Sequence, residues 1–132
     1  MPFVRISLLK TVSASDKEKI SKAVHHALMN EFNVPLNDYF HVIEELDASQ
    51  LYYPESYLNI NHTGNMVFVN IFAASGRTYA QKEKLYATIA GSIAAETAIL
   101  IHDVFIVLVE NGTKENWSFG DGKIQDITHV KS

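Results

Sequence analysis

No cysteine occurs in the 132 residues, which excludes a disulfide scaffold, a cysteine-ligated zinc site and a thiol nucleophile. There is no Lys/Arg cluster either, and a formal charge of −4 offers no electrostatic footprint for nucleic acid. No stretch approaches the roughly 20 apolar residues of a membrane span, because His102-Asp103 and Glu110 interrupt the most apolar region. The start, Met1-Pro2-Phe3-Val4-Arg5, lacks the basic-then-apolar layout of a signal peptide. The six histidines (His25, His26, His41, His62, His102, His129) show no HExxH or similar ligand spacing, so no metal site is expected. GxSxG, P-loop and GxGxxG patterns are missing, and no cofactor is expected. Three N-x-[ST] sequons, at Asn61, Asn111 and Asn116, carry no weight without a secretion signal. What is present is apolar content, 47% of residues, ample for a packed core. The expectation is a soluble, cytoplasmic single domain with no membrane or nucleic-acid partner.

The sequence also repeats itself. Shifted by 65 positions, residues 1–45 lie over 66–110 without a gap, and twelve of the 45 positions are identical. Met1-Pro2-Phe3-Val4-Arg5-Ile6 falls on Met66-Val67-Phe68-Val69-Asn70-Ile71, and Lys17-Glu18-Lys19 on Lys82-Glu83-Lys84. Glu31, Asp38, Phe40, Val42 and Glu45 fall on Glu96, Asp103, Phe105, Val107 and Glu110. The chain therefore divides into repeat unit one (1–45), a polar and aromatic linker (46–65), repeat unit two (66–110) and a tail (111–132). With Gly120-Asp121-Gly122 inside it, the tail reads as a hairpin.

Each unit parses as strand, helix, strand. Residues 2–9 and 66–74 are rich in Val, Ile, Phe and Leu and read as first strands. Ser13 with Asp16 and Thr78 with Gln81 suit helix starts, a second candidate box being Ser15 with Glu18. Apolar residues then recur at helical spacing, as Ile20, Ala23, Val24, Ala27 and Leu28 and as Leu85, Ile89 and Ile93. His25 and His26 lie off that stripe and are read as solvated. Residues 39–45 and 104–109 form the second strands. A helical crossover makes the two strands of each unit parallel. The fold class is α+β, with duplicated β-α-β units building a four-stranded mixed sheet that carries two helices on one face.

That arrangement leaves the opposite face bare. Four strands span about 19 Å at ~4.8 Å each, and two helices of ~10 Å cover one side. The near-continuous apolar strands call for burial on both sides. A homo-oligomer is the simplest remedy.

If the units pair through their first strands about a two-fold axis, Pro2, Asp38 and Arg77 meet at one end of the sheet. Their counterparts at the other end are Val67, Asp103 and Val12. Removal of Met1 before a small residue such as Pro2 exposes a secondary amine, whose pKa burial or a nearby cation lowers toward that of a working general base. Taken alone, Pro2 is as well explained as a proline that starts an edge strand. Arg77, between Gly76 and Thr78 at a helix start, has the makings of a carboxylate site. Asp38 could orient water or donate a proton, or merely cap a turn as its double Asp103 would. Trp117 and Phe119 could wall a small pocket or belong to the core.

These residues together resemble the tautomerase superfamily, whose members are built from two β-α-β units and use an amino-terminal proline. The run Val109 to Gly120 (Val-Glu-Asn-x-x-x-x-Asn-Trp-Ser-Phe-Gly) and Val34-Pro35-Leu36-Asn37-Asp38 resemble the malonate semialdehyde decarboxylase branch. The resemblance implies a homotrimer and implies that Asp38 matches the branch's catalytic aspartate. It also implies that Trp117 and Phe119 line the pocket. Of the branch's two carboxylate-holding arginines, the second matches Arg77 while the first falls on Ser75. The expected activity is cofactor-independent tautomerisation of a small 2-oxo or enol carboxylic acid, with Pro2 as general base. Decarboxylation or hydration by a protonated proline is one alternative, and a non-catalytic binding module is another.

Overall fold

The computed structural model describes residues 1–126. Strand β1 (Phe3–Leu9) leads into helix α1 (Ala14–Phe32) and returns as β2 (His41–Leu46). The second unit follows as β5 (Val67–Ala73), α2 (Tyr79–Glu96) and β6 (Val104–Glu110). Between them the linker forms a 3₁₀ turn at Ala48–Gln50 and a small hairpin, β3 (Ser56–Tyr57) with β4 (Ile60–Asn61).

The helices start where the capping residues put them. Ser13 accepts from the Asp16 amide, and Thr78 and Gln81 form a reciprocal capping box. Helix α1 ends on Asn33 in the left-handed conformation, φ 57°.

The sheet order is β2-β1-β5-β6, parallel within each unit and antiparallel between them. Both units use the same register: Val4 pairs with His41 and Val67 with Val104. Arg5 pairs with Asn70, its own double in the repeat, so the pseudo-two-fold axis passes between them.

Period-2 alternation sorts the strand side chains. Val4, Ile6, Leu8, Val67, Val69, Ile71 and Ala73 pack into one core with Ile20, Val24, Leu28, Phe32, Leu85, Ile89 and Ile93 of the helices. Phe68, Phe72, Phe105, Val107 and Val109 point the other way, and the last three are more than a third exposed. The one-sided coverage expected from the repeat is therefore present.

Two details differ from the sequence expectation. The linker is not a plain connection but carries its own hairpin, stabilised where the His62 amide donates to the Glu55 carbonyl at 2.9 Å. In the described part of the tail, 111–126, no strand forms. A 3₁₀ turn at Lys114–Asn116 and a tight turn at Asp121 (φ 59°) and Gly122 (φ 64°) take its place. The rest of the expected hairpin, with His129, lies outside the described residues.

Candidate active site

Residues at the start of β1 and β2 and in the tail enclose a cavity of about 660 Å³. Its walls are Pro2 and Phe3 of the amino-terminal strand, Ser21 of α1, residues 39–42 entering β2, and Trp117, Ser118 and Phe119 of the tail. The tail reaches it because the Asn111 amide donates to the Ala73 carbonyl at 2.7 Å, extending the β5–β6 ladder by one step. Trp117 and Phe119 then stack at 5.5 Å, and Phe119 stacks on Phe40 at 6.3 Å. The result is a flat aromatic wall facing the buried Pro2.

Asp38 lies in the turn before β2, where its amide donates to the Pro35 carbonyl at 3.0 Å. Its carboxylate takes the Met1 ammonium in a largely buried ion pair of 2.5 Å. Burial lowers the pKa of that amine, Asp38 opposes the shift, and the positive charge of Arg77 adds to it. At the amino end of β1 the Met1 amine is thus desolvated, paired with the Asp38 carboxylate and subject to the positive charge of Arg77.

Arg77 precedes α2 but serves α1 as well. Its guanidinium donates to the Phe32 carbonyl at 2.9 Å and the Ala74 carbonyl at 3.1 Å, and lies over the Phe32 ring at 4.6 Å. The last turn of α1 has no basic residue of its own, so Arg77 supplies the cation its dipole favours. Burial pulls the Arg77 pKa down and Glu110 pushes it back up.

The structure therefore brings Pro2, Trp117 and Phe119 to one cavity, and sets Asp38 and Arg77 in electrostatic contact with the amino terminus. Ser75 stands apart, exposed on the loop, where a Cβ added to Gly112 would come within 2.7 Å of its Oγ. At the opposite end of the sheet, Asp103 is completely buried, and Thr63 donates to it from both its amide (2.9 Å) and its hydroxyl. The linker fills there the place that the amino terminus holds here.

Sequence reasoning missed Ser21, Tyr39 and His41, which form the remaining wall. For Tyr39 and His41 the signal was adjacency to Asp38, since residues 39–41 enter β2 at the same sheet end; Ser21, on α1, gave none. His25 also corrects the sequence expectation. It is 8% exposed, not solvated, and its Nε2–H donates to the Leu36 carbonyl at 2.7 Å, because residues 34–39 fold back over α1. His26 is exposed. His41 joins Ser21 at 2.9 Å and meets His25 edge-on at 6.1 Å. Burial and the charge of His25 push the His41 pKa down to about 4.

A depressed pKa means that the native state resists a proton the unfolded chain accepts below about 6.5. Stability is therefore full above that value and falls as pH drops toward 4. With part of the ring in solvent, the loss is expected to reach about 2 kcal/mol. Urea unfolding at pH 7 and pH 4 should show this extra loss in the wild type and not in His41→Asn. Equal pH dependence of the two proteins would refute it.

Among the described residues, no group of three or more His, Asp or Glu converges as metal ligands, and no helix is long and apolar enough to cross a membrane.

Two family models, each described as "Tautomerase enzyme", match residues 38–120 and 2–56. The chain is 38% identical over 127 residues to the probable tautomerase YusQ of Bacillus subtilis (strain 168), covering 96% of this chain and 99% of that one. Among solved structures it is similar to FG41 malonate semialdehyde decarboxylase inhibited by 3-bromopropiolate, at TM-score 0.87 and 31% identity over 96% and 95% of the two chains. It shares its fold with the fused 4-OT protein Q0, a symmetric trimer, at TM-score 0.75 and 20% identity over 92% and 94% of the two chains.

Proposed function

The chain belongs to the tautomerase family, in the branch of the malonate semialdehyde decarboxylases, and from that premise we propose that Pro2, freed of Met1, is the general base of a keto–enol isomerisation. The substrate is a small 2-oxo or enol carboxylic acid. The observation that carries the proposal is the amino end of β1, where a desolvated amine lies beside Asp38 and Arg77 and the neighbouring Pro2 lines a cavity with an aromatic wall. The neutral proline nitrogen takes the enol hydroxyl proton and returns a proton to the adjacent carbon, so the reaction is balanced without a co-reactant. Arg77 holds the substrate carboxylate and stabilises the charge that develops on the enolate oxygen. Asp38 sets the protonation balance of the amine.

A second reading, decarboxylation with a protonated proline and Asp38 positioning water or substrate, draws on the likeness to FG41 malonate semialdehyde decarboxylase. Ser75, standing where that branch has its first arginine, favours the isomerase. The two differ in the charge on Pro2. Met1-free protein, verified by intact mass, is to be assayed across pH with 2-hydroxyacrylate and with malonate semialdehyde. For the isomerase, kcat/KM on the enol falls about tenfold per pH unit below the amine pKa. Loss of activity as pH rises, with release of CO₂ from the semialdehyde, would overturn it.

Replacing Arg77 by alanine should raise KM for 2-hydroxyacrylate by roughly 10- to 100-fold, the worth of a charge-assisted pair of hydrogen bonds. An unchanged KM would remove Arg77 from substrate binding.

We also propose that the open sheet face is where identical chains meet, as a homotrimer. Its support is the exposed aromatic and aliphatic surface of β5 and β6, together with the trimer formed by the fused 4-OT protein of the same fold.

A further inference from the structure

The last residue of β6, Glu110, points its carboxylate at the loop that carries Arg77. It accepts from Lys82 Nζ at 2.7 Å and from the Gly76 amide, and it shares an electrostatic interaction with Arg77. Gly76 holds φ +118°, a conformation that other residues rarely adopt. The carboxylate, the Lys82 ammonium and the Gly76 N–H thus fasten the loop to the end of the sheet on one side of Arg77. On the other side, the Arg77 guanidinium is held by the Ala74 and Phe32 carbonyls.

The repeat supplies a comparison within the same molecule. Lys17 and Glu45 are the doubles of Lys82 and Glu110, and they form the equivalent ion pair. The loop they fasten carries Val12, the double of Arg77, which packs against the core. One bracket holds an apolar residue at the inert end of the sheet, and its copy holds a guanidinium at the cavity end.

We infer that Glu110 is a positioning residue for substrate binding: it fixes the residue 74–78 loop so that Arg77 meets a substrate carboxylate. This rests on the reading of Arg77 given above. Charge alone predicts the opposite effect, because removing a carboxylate near Arg77 would strengthen its pull on an anion. Positioning predicts that binding weakens.

The test uses Met1-free full-length protein, with 2-hydroxyacrylate and its methyl ester as paired substrates. In Glu110→Ala, KM for the acid should rise about five- to tenfold with kcat nearly unchanged, while KM for the ester stays put. Glu110→Gln, which can still accept from the Gly76 N–H, should restore most of the affinity. Glu45→Ala, the same truncation at the other end, should leave both KM values at wild-type level and so accounts for any general loss of stability. A lower KM in Glu110→Ala, an equal rise for acid and ester, or an equal effect of Glu45→Ala would overturn the inference. Arg77→Ala separates the two levels. If it raises KM for the acid and Glu110→Ala does not, the positioning role alone falls; if Arg77→Ala leaves KM unchanged, both readings fall.

Discussion

Met1-free Pro2→Ala protein is expected to isomerise 2-hydroxyacrylate about 100-fold more slowly than the Met1-free parent. General-base catalysis by a positioned group is worth about 10²–10⁴ in rate. Alanine leaves an amine at the chain start, which places the loss at the low end of that range. The amine is primary, however, and turns freely about its N–Cα bond, whereas the proline ring holds its nitrogen in one geometry relative to β1. Protein that retains Met1 should lose more. Its Pro2 nitrogen is an amide with no basicity, and its terminal ammonium occupies Asp38. Initial rates of ketonisation, followed by ultraviolet absorbance on samples of known intact mass, give all three numbers. Equal rates for the parent and Pro2→Ala would remove the proline from the mechanism.

Val107→Asp should turn the assembled protein into a folded monomer. Val107 lies in β6 beside Asn70 on the face away from the helices, and is 38% exposed in the single chain. In the free chain an aspartate there stays in water and costs the fold little. In a symmetric trimer the same substitution enters three times, and burying an unpaired carboxylate costs several kcal/mol each. Analytical ultracentrifugation at micromolar concentration should show a trimer for the wild type and a single-chain mass for the variant, with an unchanged circular dichroism spectrum. A wild-type monomer would sink the assembly proposal, and a trimeric variant would place the interface elsewhere.

The repeat made most of the fold legible. Val4, Ile6, Val69 and Ile71 recur at a shift of 65, and two copies of one unit with one crossover sense leave few sheets to choose from. Ser13 and Thr78 marked the helix starts because a capping side chain acts within three residues of itself. Interactions across long sequence separations were harder to read. His25 looked solvated because helical periodicity describes one helix and not the segment at 34–39 that folds over it. The small hairpin at residues 56–61 has too few apolar positions to show a period. At the candidate site, the convergence of Pro2, Asp38 and Arg77 on one end of the sheet was legible because the two units differ there at Pro2 and Arg77. Ser21 was not, since its contact with His41 spans 20 residues and leaves no local pattern. Glu110 was visible only as a repeated residue, and its contact with Gly76 depends on the backbone turn at that glycine.

The paired bonds from Thr63 to Asp103 have a consequence for descent. When two copies of a unit are fused head to tail, only the first retains a free amino terminus; the second begins inside a chain. The inherited aspartate of the second copy would then face a peptide bond and lie buried without a counter-group. Here the linker itself supplies the substitute, a threonine three residues before Met66, where unit two begins. The joint between the two units is thus part of the scaffold, because it satisfies a carboxylate that the repeat would otherwise leave buried and unpaired.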